Sequence, residues 1–268
     1  MTNVLEAVEL VKRFGTNTAV ENVSFALRAG GSLALVGESG SGKTTVARML
    51  VGLEEATSGK VVHEGMPTGR GTRRALARRI QMVFQDPYLS LDPRLSATDA
   101  LSRVLRLHFD ENSAARRARI AELLDSVNLS SREANALPRA LSGGQRQRIA
   151  IARALAVEPR VLVLDEATSA LDVSVQAQIL TLLNRIREER EVAYVFVAHD
   201  LAVVREVCDD LLVMYRGLAV ESTTPGDAID APRHPYTRLL VESLPRPGWD
   251  PARIADRRRE LEKEIGRV

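Results

Sequence analysis

The chain has 268 residues, of which 45% are hydrophobic, 27% charged and 4% aromatic. That length fits one large domain, or one domain carrying an inserted subdomain. Thirty-seven basic against 35 acidic residues leave a formal net charge of +2, too near neutral for broad nucleic-acid binding to be the main task. The single cysteine, Cys208, excludes an internal disulfide and any zinc or iron–sulfur site that draws several thiolates from this chain.

In chain order, short apolar runs alternate with helical patterns, the mark of an α/β fold. Strands are predicted at Val4–Leu10, Val23–Leu27 and Ser32–Val36, followed by a glycine loop and a helix from Lys43 to about Gly52. Further strands are predicted at Lys60–His63 and Ile80–Phe84. Between Asp86 and Pro159 the alternation stops, and Thr98–His108, Ser113–Val127 and Ser142–Val157 read as helices with no strand among them. Strands resume at Val161–Leu164, Val192–Ala198 and Leu211–Tyr215. From Pro225 onward the chain holds six of its 11 prolines and reads as an extended tail, with a helix-compatible stretch at Ala252–Val268. No apolar run approaches the roughly 18–20 residues of a membrane helix. The N-terminus has no basic region followed by an apolar core. A soluble, cytoplasmic chain is the expectation.

Gly37-Glu-Ser-Gly-Ser-Gly42-Lys43-Thr44 follows a strand and opens a helix, the setting a phosphate-binding loop requires. Its glycines let backbone N–H groups curl around phosphate oxygens, and the helix N-terminus adds a favourable dipole. Lys43 places a point charge at the β- and γ-phosphates, and the Thr44 hydroxyl is a Mg²⁺ ligand. The nucleotide-binding segment is read as Gly37, Ser39, Gly40, Ser41, Gly42, Lys43, Thr44 and Thr45.

Three more strands end in polar side chains. Val161–Leu164 delivers Asp165 and Glu166. Two carboxylates there would be costly if buried and unpaired. At the C-terminal edge of a parallel sheet, Asp165 can join a Mg²⁺ shell and Glu166 can orient an attacking water. The plainer alternative is that they cap the next helix. Ile80–Phe84 delivers Gln85, a candidate contact to Mg²⁺ or water, and Val192–Ala198 delivers His199, a candidate contact to the γ-phosphate or water.

Leu141-Ser-Gly-Gly-Gln145 opens another helix. Ser142 and Gln145 have capping-box spacing, so an ordinary helix start is one reading. Two glycines at the first helical positions each cost about 1 kcal/mol relative to alanine, which points to a backbone that something approaches closely, such as a second phosphate. The segment lies about a hundred residues from the first loop. Two chains arranged head to tail would bring Ser142, Gly143, Gly144 and Gln145 of one to the nucleotide on Lys43 of the other.

Taken together and in this order, the phosphate loop, Gln85, Leu141–Gln145, the Asp165-Glu166 strand end, Ser169-Ala-Leu-Asp172 and His199 resemble the ATP-binding-cassette ATPases over about residues 4–225. The resemblance implies a P-loop NTPase of α/β class: a RecA-like core with an N-terminal antiparallel β-subdomain and an inserted α-helical subdomain. The implied division is 1–85 and 159–225 for the core, 86–158 for the helical insert, and 226–268 for a tail. It further implies ATP and Mg²⁺ as ligands, with Thr44, Gln85 and Asp165 around the metal. Two ATP molecules would lie at a dimer interface, with Asp172 in the loop that links the sites. Phe14 stands where the family carries an adenine-stacking aromatic, and Val20 is placed with it among the nucleotide-binding residues. Ala167 replaces a proline common after the Asp-Glu pair.

Gln85-Asp-Pro-Tyr-Leu-Ser-Leu-Asp-Pro93-Arg94 and Pro232-Arg-His-Pro-Tyr-Thr-Arg-Leu-Leu240, with Ser243-Leu-Pro245, look like the dipeptide, oligopeptide and nickel importers of that family. This implies a homodimer or a heterodimer with a second such ATPase, docked on transmembrane permease subunits at the inner face of the cell membrane. No iron–sulfur cluster and no nucleic-acid partner are expected. The alternative is a soluble cassette ATPase serving an intracellular complex, such as one of phosphonate metabolism.

Overall fold

The computed structural model describes residues 2–68 and 73–244, together with Arg259. The elements run β1 (Asn3–Phe14), β2 (Asn17–Arg28), β3 (Ser32–Val36), α1 (Lys43–Leu50), β4 (Ser58–His63), β5 (Met66–Pro67), α2 (Arg73–Arg79) and β6 (Ile80–Val83). Five helices follow without a strand: α3 (Pro87–Ser90), α4 (Ala97–His108), α5 (Ser113–Ser126), α6 (Ser131–Asn135) and α7 (Gly143–Leu155). The chain then runs β7 (Val161–Asp165), α8 (Val173–Arg190), β8 (Ala193–Ala198), α9 (Leu201–Val207), β9 (Asp210–Tyr215), β10 (Leu218–Thr223), α10 (Pro225–Asp230) and α11 (Pro235–Glu242).

Two sheets result. The first is antiparallel, in the order β2-β1-β4-β5. The second has the order β10-β9-β3-β8-β7-β6, in which β9, β3, β8, β7 and β6 are parallel and β10 closes the edge antiparallel. Its central strands β3, β7 and β8 are buried at every position, as strands covered on both faces must be. Alternation sorts their side chains into two cores. Leu33, Leu35, Val161, Val163, Val195 and Val197 pack toward α1 and the antiparallel sheet. Ala34, Val36, Leu162, Leu164, Tyr194 and Phe196 pack into the core shared with the helices.

Within residues 225–244 the proline-rich stretch forms two helices rather than an extended run. Pro225 and Pro235 each stand at the start of a helix, behind the N-caps Thr224 and His234. Proline lacks only an N–H that is unpaired at a helix start anyway, and its φ suits that position, so these prolines initiate rather than prevent helix. The helix-compatible stretch at 252–268 lies outside the described residues, apart from Arg259. The 18-residue α8 is an element the chain-order reading passed over, although Ile179, Leu182, Leu183 and Ile186 recur at helix spacing and are buried. No helix among the described residues is long and apolar enough to cross a membrane.

Candidate functional site

The strand order carries the site. β3, β8, β7 and β6 are adjacent and parallel, so the residues at their C-terminal ends emerge along one edge. There the loop after β3 wraps Lys43. Its ammonium donates to the carbonyl oxygens of Gly37 and Glu38, each at 2.7 Å, and to Ser41 Oγ at 3.4 Å. Lys43 is 4% exposed. Burial lowers its pKa from the ordinary 10.5, against the opposing fields of Glu166, Asp165 and Glu38.

Glycine is required in this loop by contact as well as by backbone. Gly37 and Gly42 have φ of 152° and 103°, in the left-handed range. A Cβ on Gly37 would collide with the carbonyl oxygen of Met214, and one on Gly42 would lie 2.5 Å from that of Ala19. Val20 is fully buried and lies under Gly42. Its Cγ2 lies 3.4 Å from the position a Cβ on Gly42 would take. Ser39 and Gly40 are exposed at the loop tip, and Thr44 and Thr45 are half-buried in the first turn of α1.

Thr44 Oγ1 donates to Asp165 Oδ1 at 3.1 Å. Asp165 is 6% exposed, and burial raises its pKa from 3.8, with the Thr44 hydrogen bond acting the other way. A buried carboxylate beside a hydroxyl is a pair of hard oxygen donors, costly when charged and without a cation, and it fits Mg²⁺. Gln85 is exposed two residues past the end of β6, on the same edge.

Glu166 continues the ladder through its N–H, which donates to the Val197 carbonyl at 3.0 Å. Its φ is 48°, unusual for a residue with a side chain and a conformation that clusters at functional sites. The Glu166 carboxylate contacts His199 Nε2, while His199 Nδ1 lies 3.3 Å from the Gly37 carbonyl oxygen. A cavity of about 220 Å³ opens beside both side chains and beside Ser169 and Gln176. Lys43, Thr44, Asp165, Glu166 and His199 are thus brought together.

The Ser142 group is not part of that cluster. Ser142 and Gln145 form a complete capping box for α7, and Gln145 Nε2 donates to Glu133 Oε1 at 2.5 Å. The glycines answer to neighbours in the same chain. A Cβ on Gly144 would meet Val175 Cγ1 at 2.5 Å, and one on Gly143 would lie 3.4 Å from Leu171. Asp172 is exposed at the N-cap of α8, next to Val173, which is 83% exposed. Phe14 is half exposed at the end of β1, with the Lys12 ammonium 4.8 Å from its ring centroid. Lys12 also pairs with Glu54 at 2.9 Å.

One contact had no signal at this site in the sequence. The backbone N–H of Glu38 donates to the Tyr236 hydroxyl at 2.8 Å. Tyr236 stood out only within the Pro232–Leu240 resemblance, far along the chain.

Comparison with known proteins agrees with this geometry. The profile of the ABC transporter family matches residues 20–169. The chain is 43% identical over 256 residues to the oligopeptide transport ATP-binding protein OppF of Bacillus subtilis (strain 168), covering 92% of this chain and 84% of that protein. It is 45% identical to the di/tripeptide transport ATP-binding protein DppF of Pseudomonas aeruginosa, covering 88% and 74%. Among solved structures, cbiO1 from Clostridium perfringens, part of the transporter complex cbiONQ, superposes with a TM-score of 0.79 at 26% identity, over 86% of this chain and 92% of that one. The ATP-binding cassette MJ0796, a dimer bound to ADP and phosphate in a post-hydrolysis state, superposes with a TM-score of 0.74 at 30% identity, over 82% and 98%. With the phosphate loop, the buried carboxylate edge and these likenesses in place, the chain belongs to the ABC transporter family and is an ATP-binding, ATP-hydrolysing cassette.

Proposed function

We propose that this chain powers an importer of peptides or a related small solute. The observation that carries the reading is the convergence of Lys43, Thr44, Asp165, Glu166 and His199 on one edge of a parallel sheet. The peptide class is supported by likeness to proteins named for oligopeptide and di/tripeptide transport.

In this reading residues 1–85 and 159–225 form the ATPase core, 86–158 the helical insert and 226–268 the tail. Phe14 stacks on adenine, and the backbone of Gly37, Ser39, Gly40, Ser41, Gly42, Lys43, Thr44 and Thr45 holds the phosphates. Thr44, Asp165 and Gln85 would hold Mg²⁺. When bound, that ion supplies charge neutralisation at the β- and γ-phosphate oxygens. Glu166 orients the attacking water and polarises it, and His199 fixes the Glu166 carboxylate while reaching the γ-phosphate. A second cassette, the same chain or a different one, presents Ser142, Gly143, Gly144, Gln145 and Asp172 across the interface. Closure of that dimer on ATP, and its reopening after hydrolysis, would be passed to permease subunits docked near Tyr88–Arg94. This places the chain at the inner face of the cell membrane.

The test is to purify the chain with its permease subunits in lipid and measure ATP hydrolysis with the cognate binding protein, empty or loaded with peptide. Stimulation by the peptide-loaded form supports the reading. Hydrolysis indifferent to permease and binding protein would instead favour a soluble cassette.

A further inference from the structure

The phosphate loop is tied from outside the sheet that carries it. β9 lies parallel to β3 with Val213 opposite Val36, so Tyr215, the last residue of β9, stands beside the segment that follows Val36. Tyr236 lies on Tyr215, with ring centroids 4.3 Å apart and planes tilted by 38°. The Tyr236 side chain is fully buried. Its hydroxyl oxygen accepts the Glu38 N–H at 2.8 Å. The Glu38 carbonyl oxygen accepts both the Lys43 ammonium at 2.7 Å and the Ser41 N–H at 3.1 Å. Glu38 is therefore held on both sides, by Tyr236 at its N–H and by Lys43 and Ser41 at its carbonyl.

Tyr236 is itself held. Glu221 of β10 is 8% exposed, and its two carboxylate oxygens accept the N–H groups of Arg233 at 3.1 Å and His234 at 2.9 Å. His234 Nδ1 accepts the Tyr236 N–H at 3.1 Å, which caps α11. A continuous path runs from Glu221 through residues 233–236 to Glu38 and Lys43.

We propose that Tyr236 is a positioning residue of the nucleotide site, setting the backbone at Glu38 and through it the Lys43 ammonium, so that ATP affinity depends on the docking of α11. The physical reason is that a loop shaped to offer its N–H groups to phosphate cannot also pair them within secondary structure. Its shape has to be imposed by neighbours, and a preorganised loop binds more tightly than one that must be ordered by its ligand. This inference rests on the reading of Gly37–Thr45 as the phosphate site.

The test is Tyr236→Phe in the full chain, which keeps the ring stack and removes the acceptor. The affinity for a fluorescent ATP analogue is expected to fall about fivefold, the net worth of one hydrogen bond. KM for ATP should rise by a similar factor while kcat stays within about twofold. Amide exchange across residues 37–42 should quicken. Glu221→Gln, which weakens the anchor of residues 233 and 234, should shift affinity and exchange in the same direction and reads the proposal independently should Tyr236→Phe fold poorly. A lower melting temperature with affinity and loop exchange unchanged would mean a merely structural tyrosine and would overturn the proposal. Absence of ATP binding by the unaltered chain would overturn the nucleotide-site reading instead.

Discussion

His199 bridges Glu166 and the phosphate loop: its Nε2 meets the Glu166 carboxylate and its Nδ1 lies 3.3 Å from the Gly37 carbonyl oxygen. The Glu166 side chain is only 12% exposed, its backbone sits at a φ of 48°, and its carboxylate contacts the imidazole. Glu166→Gln keeps the shape and removes the charge proposed to activate water. ATP binding should persist while single-turnover hydrolysis falls about 10²-fold or more. His199→Ala should cost less, and the double variant should be no slower than Glu166→Gln alone, since the two act as one unit. Brisk turnover by Glu166→Gln would remove Glu166 from its assigned role.

Lys43 makes opposite pH predictions for binding and for stability. Burial lowers its pKa from 10.5. Between that lowered value and 10.5 the unfolded chain holds more protons at this position than the folded one, so its contribution to stability rises with pH. Over the same window the ammonium proposed to meet phosphate is lost, and ATP affinity should fall. Titrations of ATP binding and of chemical denaturation from pH 8 to about 10.5 check both. Lys43→Ala should abolish tight binding at every pH, and a flat affinity curve for the unaltered chain would contradict the buried ammonium.

Asp165 is buried at a cost to the ligand-free fold. Burial raises its pKa above 3.8. Between 3.8 and that raised value the folded chain holds more protons than the unfolded one, so this group's contribution to stability falls as pH rises. Above that raised value the charged carboxylate is a cost that a ligand must offset. Asp165→Asn keeps an acceptor for Thr44 and removes the charge. It should raise the melting temperature of the ligand-free chain by roughly 2–4 °C and abolish Mg²⁺-dependent hydrolysis. A variant both less stable and inactive would show that the carboxylate stabilises the fold.

Gly144 should resist the substitution that helix propensity favours. Alanine is about 1 kcal/mol better than glycine inside a helix. Here its Cβ would lie 2.5 Å from Val175 Cγ1, on a side chain stiff at χ1. Gly144→Ala should destabilise the chain by about 1–3 kcal/mol in urea denaturation. Val175→Ala added to it should recover most of the loss. A gain in stability from Gly144→Ala would leave close approach by a second chain's nucleotide as the reason for the glycine.

Ser142→Arg separates the two chains of the proposed dimer. Ser142 is exposed at the cap of α7. Arginine there should block ATP-driven dimerisation, read by light scattering on a hydrolysis-deficient background, and spare nucleotide binding by the monomer. Loss of monomer binding would count against the head-to-tail arrangement.

The amino-acid sequence by itself determined the parts whose physics is local. The phosphate loop is a contiguous strand, glycine turn and helix start, and its positive φ values at Gly37, Gly40 and Gly42 are what those glycines announce. The fully apolar β3, β7 and β8 announce a sheet covered on both faces. Only the tertiary structure decided what depends on long-range neighbours. The strand order sets β8 between β3 and β7 and so joins His199 to both Gly37 and Glu166. The approach of Val175 gives Gly144 a steric cause that the capping-box spacing could not contain. Pro225 and Pro235, read as parts of an extended tail, became helix starts once Thr224 and His234 supplied caps. The bond from Glu38 to Tyr236 spans 198 positions, a distance across which residue spacing carries no information and only the packing of α11 on β9 does.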